Sequence, residues 1–323
     1  MTNTQLSQTA APAVSVIMPA YGVAKYIGAA IESVLNQTFT DYEIIVVNDG
    51  APDTAELEVA LERYRDHIIY IVHENRGLSE ARNTAIRVAR GRYLALLDPD
   101  DLWEPEYLAV QVGILENDPT LDAIYPNALL FGDTFNAGKT YMDVSPSEGE
   151  VTLESLITEQ CQVAIFVTAR KDAVIRAGMF DPSIRISGDF DLWVRMVKQG
   201  SRISYTRRVL AQRRCRPDAL SANHVGLYED ILRVLDKVRM FDLTPSERET
   251  VEREHTKNVA VLNLYKGKKA LAHSKPQDAI KYFTEANDFL KSRKIAVTLS
   301  FLRFAPQLFL RLHKLAIILS VLE

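Results

Sequence analysis

The sequence predicts an α/β domain with a parallel sheet, followed by a C-terminal α-helical region. Short apolar runs alternate with helix-spaced segments over the first hundred residues, the pattern of repeated strand–helix–strand crossovers. From about Asn223 onward strand-like alternation stops while helical spacing continues. Three carboxylates, Asp98, Asp100 and Asp101, close the fourth apolar run. That is the strand end at which open α/β sheets present their functional groups.

Residues 14–18 (VSVIM) form the first strand, ending at Pro19, and 26–36 repeat apolar residues at helical spacing. Residues 43–47 (EIIVV) are a second buried strand, closed by Asn48, Asp49 and Gly50. A polar helix at 54–65, a third strand at 68–72 and a helix at 78–89 follow. The fourth strand, 93–97 (YLALL), is apolar throughout, as expected where both sheet faces are covered. Right-handed crossovers in this order make the strands parallel. Residues 151–221 form a second α/β stretch, strand-like at 161–168 and helical at 171–177 and 192–198. The organisation is then a disordered tail at 1–12, an α/β domain at 13–222 and a helical region at 223–323. Residues 262–290 have the spacing of a helical hairpin turning at Ser274, Lys275 and Pro276. Its Ala270, Ala279, Phe283 and Ala286 are reminiscent of a single tetratricopeptide unit.

A chain of 323 residues can bury a full core plus an appendage, and 47% hydrophobic with 25% charged residues suits a soluble globular protein. The net charge of −4 argues against nucleic-acid binding across the whole surface. Cys161 and Cys215 are too few for a disulfide framework or a cysteine-rich zinc site, so a reducing cytoplasm is the simplest compartment. The first twelve residues carry neither the basic start nor the apolar stretch of a secretory signal. A spanning helix needs about twenty mostly apolar residues. The nearest stretch, 295–322, is interrupted by Arg303, Arg311, His313 and Lys314.

Carboxylates crowded at one strand end repel one another unless something positive joins them. A hard divalent cation such as Mn or Mg, bridging to a diphosphate, is a natural partner. The simpler alternative makes Asp101 the cap of a following helix. The turn after the first strand, 19–23 (PAYGV), has one glycine, and a Walker-type Gly-Lys-Ser/Thr is absent. Carboxylates rather than a cradle of backbone amides therefore dominate the fourth strand end. This contrast points away from hydride transfer or ATP hydrolysis and toward metal-dependent use of a nucleotide diphosphate.

The strings VSVIMPAY at 14–21, AIESVLNQ at 30–37, EIIVVNDG at 43–50, ENRGLSEARN at 74–83, YLALLDPDD at 93–101, GMFD at 178–181 and GDFDLWVR at 188–195 stand in the order of a known family. Over residues 13–221 the chain resembles a family 2 inverting glycosyltransferase of the GT-A (nucleotide-diphospho-sugar transferase, Rossmann-like) fold. The resemblance implies that Tyr21 packs against the nucleotide base, that Pro19 is among the nucleotide-sugar-binding residues, and that Asp49 accepts a base N–H, favouring uridine. It brings Arg82 to the nucleotide or its phosphates, Asp98 to the ribose, and Asp100 with Asp98 to the cation. Asp189 is implied as the base that deprotonates the acceptor hydroxyl, with the alternative of an N-cap. Two departures stand out. Gly188 lies where relatives carry an acidic residue, and Arg216 lies where many have histidine. Arginine cannot ligate a cation but pairs with phosphate, which assigns Arg216 to the leaving diphosphate. Gly22 also replaces a common asparagine.

The resemblance implies a nucleotide-sugar donor, UDP-linked by preference, and a saccharide or lipid-linked acceptor in cell-surface polysaccharide synthesis. Two other readings compete: a non-catalytic nucleotide-sugar-binding or scaffold protein, and a sugar nucleotidyltransferase, whose basic glycine-rich segment is lacking here. Residues 291–323 alternate cations with large apolar side chains. Such a helix can lie on an anionic membrane, placing the protein at its inner face, or pack on the protein or a homodimer interface.

Overall fold

The computed structural model describes residues 11–134 and 136–309. It divides into two compact units between Ala219 and Leu220. Most of the expected disordered tail, and residues 310–323 of the basic apolar segment, lie outside the described residues.

In the first unit, β1 (Val14–Ala20), β2 (Tyr42–Asp49), β3 (Ile68–His73) and β4 (Tyr93–Leu96) run parallel in the order β3-β2-β1-β4. Their crossovers are α1 (Ala24–Leu35), α2 (Thr54–Leu61) and α3 (Leu78–Val88). All seven residues of β1 are buried, as a strand between two neighbours requires. It runs past Pro19, which faces Val47, instead of stopping there. The Leu97 N–H donates to the Ile17 carbonyl, so alternate residues from Ile17 turn their backbone groups toward β4. The β1–β4 ladder ends at Ile17 and Leu96, so the missing proline N–H breaks no bond.

Beyond β4 come β5 (Leu102–Trp103), α4 (Tyr107–Asn117), β6 (Leu121–Gly132), α5 (Tyr141–Val144) and α6 (Leu153–Ile157). They are followed by β7 (Thr168–Arg170), α7 (Lys171–Arg176), α8 (Gly188–Lys198) and β8 (Arg202–Cys215). The sheet has eight strands in the order β3-β2-β1-β4-β7-β6-β8-β5. β7 is antiparallel to β4 and β6, β8 is parallel to β6, and β5 is antiparallel to β8. The strand expected at 161–168 reaches the sheet only at Thr168. β4 offers β7 three partners, Tyr93 to Ala95, before its own chain turns away, and Cys161 makes only an isolated bridge to Ser147. Arg90 donates its backbone N–H and guanidinium to the buried carboxylate of Glu43.

The second unit is helical: α9 (His224–Val238), α10 (Pro245–Ala272), α11 (Pro276–Leu290) and α12 (Arg293–Phe304). Thr244 and Glu247 form a capping box around Pro245, which fixes where α10 begins. The expected hairpin is the α10–α11 pair. Ala270, Ala279 and Phe283 join Leu271, Ile295, Leu299 and Leu302 in its core, and a Cβ on Gly267 would lie 2.5 Å from the Phe283 ring.

Candidate active site

The carboxyl end of β4 leads into a β-turn closed by the Asp101 N–H on the Asp98 carbonyl at 3.0 Å, with Pro99 at its second position. Each carboxylate of the turn has a cationic residue against it. Arg82 donates to Asp98 Oδ1 at 2.7 Å, and Arg216 Nε to Asp100 Oδ2 at 2.9 Å. Asp101 Oδ1 accepts the backbone N–H of Arg214 at 2.7 Å, while Arg214 Nε donates to the Asp100 carbonyl at 2.9 Å. The expected helix-cap role of Asp101 is therefore corrected. The chain runs on into β5, and the 4% exposed Asp101 ties the turn to the end of β8. Burial, then the charges of Asp100 and Asp98, push the Asp101 carboxyl well above its ordinary pKa. Asp100 is raised too, by burial and by Asp98, against the opposing pull of Arg216.

The end of β8 is held by aromatic faces. The Arg214 guanidinium lies 4.3 Å from the Phe131 ring and 4.7 Å from that of Tyr26, and Arg216 lies 5.0 Å from Tyr26. Lys25, Tyr26, Asp133, Arg214 and Arg216 line an open cavity of about 440 Å³.

Helix α3 connects the turn to α8. Arg82 is buried, with its guanidinium 5.2 Å from the Phe180 ring. Asn83 donates to the Phe180 carbonyl at 2.8 Å and accepts the Phe180 N–H at 3.0 Å, while Ser79 Oγ donates to the Ile184 carbonyl at 3.0 Å. A Cβ on Gly188 would stand 2.8 Å from Ser79 Oγ, so a side chain there requires Ser79 to turn away from Ile184. Asp189 lies inside the first turn of α8, behind the N-cap Ser187, and its Oδ1 accepts the Phe190 N–H at 2.9 Å. Burial raises its pKa, Arg82 opposes that shift, and Asp98 adds to it. Asp189 is thus within electrostatic range of the Arg82–Asp98 pair. Asp191 is a structural anion, accepting from Arg195 at 2.6 Å, while Arg195 also holds the Ala177 and Met179 carbonyls.

On the other side of the sheet end, Tyr21 is 53% exposed in the bend after β1. Asp53 fixes this bend by accepting the Gly22 and Ala24 N–H groups at 3.0 and 2.9 Å. Asp49 is buried, and its two oxygens accept the N–H groups of Arg76 and Gly77 at 2.7 and 2.9 Å. It shapes the loop into α3, and His73 Nδ1 lies 3.3 Å from its Oδ1. Gly50, at φ +60°, lets the Asn75 backbone nitrogen approach to 2.6 Å of where a Cβ would stand. Sequence reasoning missed Asp53, Ser79, Asn83 and Arg213, the last of which faces the Tyr141 ring at 5.3 Å within electrostatic range of Asp101 and Asp189. Their partners are distant in sequence.

Residues 15–180 match the model of glycosyl transferase family 2. The chain belongs to this family. An uncharacterized glycosyltransferase of Rickettsia typhi is 32% identical over 251 residues, covering 72% of this chain and 75% of that one. In structure, the glycosyltransferase resembles TarS 1-349 of S. aureus in complex with UDP-GlcNAc, at TM-score 0.65 and 18% identity over 90% of this chain and 87% of that one. It also resembles the mannosyltransferase PcManGT of Pyrobaculum calidifontis, in complex with GDP-Man and Mn2+, at TM-score 0.61 and 20% identity over 94% and 86%. Both likenesses cover nine-tenths or more of this chain.

The donor set at the turn suits a divalent cation. Asp98 and Asp100 carry oxygens of the kind a hard cation takes, and one oxygen of each is already held by Arg82 or Arg216. Among the described residues no group of three or more His, Cys, Asp or Glu is arranged to hold a metal alone. Two carboxylates completed by diphosphate oxygens are a common arrangement for a hard cation.

Proposed function

We propose that this glycosyltransferase moves a sugar, with inversion, from a UDP-sugar to a hydroxyl of a saccharide or lipid-linked acceptor in cell-surface polysaccharide synthesis. One observation carries the reading. The Asp98–Asp100 turn carries Arg82 and Arg216 at the carboxyl end of β4, with Asp189 in electrostatic range of Arg82 and Asp98, and this is the strand end at which α/β sheets bind their ligands.

Asp189 takes the proton of the acceptor hydroxyl as that oxygen forms its bond to the anomeric carbon. The bond from that carbon to the diphosphate oxygen breaks on the opposite face, and its electron pair stays with the diphosphate. Arg82 and Arg216 pair with this growing charge, their forked donors suiting phosphate oxygens. Tyr21 offers a free aromatic face to the base, and Asp49 a lone pair to a base N–H. Asp100 and Asp98 would hold a divalent cation, which would supply further charge neutralisation on the leaving group.

Thermal shift with UDP, GDP and their sugars, with and without manganese, tests the donor and the cation together. A ligand of the native state raises Tm. UDP with manganese is expected to give the largest shift, and Asp100→Ala to lose its manganese-dependent part. Asp189→Asn should bind UDP and transfer no sugar. If wild type and Asp189→Asn bind UDP equally and neither consumes any donor, a nucleotide-sugar-binding role replaces this one.

A further inference from the structure

Helix α12 is apolar on two opposite faces. Ile295, Leu299 and Leu302 point inward, packed with Ala270, Leu271, Ala279 and Phe283. On the other side, at spacings of four and three, Val297 is 57%, Phe301 53% and Phe304 90% exposed. A helix on a protein surface needs one apolar stripe, and the second is surplus to the fold. Arg293, Lys294 and Arg303, all exposed, flank it. Between residues 289 and 322 the chain places six of its 38 Lys and Arg and none of its 42 Asp and Glu, although its net charge is −4.

We propose that α12 seats the protein on a lipid surface rich in anionic headgroups, lying in the plane of the interface with Val297, Phe301 and Phe304 at the acyl boundary. The cations flanking the stripe meet the headgroups while the aromatic rings leave water. A second copy of the chain is the poorer occupant, because a two-fold contact would set this acid-free rim against itself. The helix lies on the bilayer instead of crossing it. Among the described residues no helix is long and apolar enough to span a membrane. The surface stands independently of the sugar-transfer reading.

Flotation of the full chain with vesicles tests this. Wild type is expected to float with phosphatidylcholine vesicles containing roughly one-third phosphatidylglycerol, to float poorly with phosphatidylcholine alone, and to be released by high salt. Phe301→Glu with Phe304→Glu should weaken vesicle binding at least ~10-fold. Phe304→Ser, which alters only a nine-tenths exposed ring, should weaken it several-fold and serves if the double variant fails to fold. Absence of wild-type flotation with the anionic vesicles overturns the proposal, as does equal flotation of wild type and both variants. Self-association seen by sedimentation velocity, lost on substitution and without vesicle binding, would assign the face to a second copy.

Discussion

At the scale of single residues, Asp189 is a carboxylate whose charged form is disfavoured by burial, and this has two measurable results of opposite sign. Its raised pKa means that the folded protein holds the proton more tightly than the unfolded chain. Stability therefore falls as pH rises from the ordinary Asp value through the raised one, and the ionised form is a net cost at neutral pH. Asp189→Asn is expected to raise Tm at pH 7, and the gain should vanish at pH values below about 3.9, the ordinary Asp pKa. The same substitution should lower kcat about 10²- to 10⁴-fold, and the acid limb of the wild-type rate profile should lie above the ordinary Asp range. A binding-only protein would show the first effect without the second. Arg216→Gln is expected to weaken UDP binding in the presence of manganese by roughly tenfold, about 1.4 kcal/mol, by titration calorimetry. The placement of Asp98, Asp100 and Asp189 at strand or helix ends was legible because each sits in a short local string. The inward turn of Asp101 was not, since its partner is the backbone of Arg214, more than a hundred residues on.

At the scale of elements, the four parallel strands were legible because both faces of the sheet are covered, which leaves unbroken apolar runs. β6 and β8 were not. β6 contains Pro126 and pairs with β8 through register shifts, and β8 carries five arginines that hide its alternation. The contacts of α3 were equally hidden, because Asn83 and Ser79 meet partners 97 and 105 residues away. Asn83 makes two hydrogen bonds to the buried backbone of Phe180, so Asn83→Ala leaves a donor and an acceptor unpaired. A loss of about 2–3 kcal/mol in urea unfolding is expected. Because α3 also carries Arg82, sugar transfer should fall by more than the lost stability accounts for at temperatures where the variant is folded.

At the scale of the whole molecule, the helical second unit was legible as a loss of strand alternation, while the single repeat-like hairpin gave little warning of the 28-residue length of α10. The unit has a core of its own, in which Gly267 allows α10 to approach the Phe283 ring. Gly267→Ala should overpack that contact and cost about 1–3 kcal/mol, read as earlier unfolding of the helical unit. UDP binding by the first unit should be retained, which separates this effect from any role of the helices in the reaction.

The Ser79–Gly188 contact also constrains how this chain can change by mutation. An acidic side chain placed at 188 alone meets Ser79 Oγ and displaces its bond to Ile184. Trimming Ser79 first removes the obstacle. The two positions are therefore epistatic, and their order of replacement matters. Gly188→Asp should be destabilising in the present background and milder after Ser79→Gly, with a double-mutant coupling of roughly 0.5–3 kcal/mol. Serine at 79 thus disfavours any side chain at 188, an acidic one beside Asp189 included.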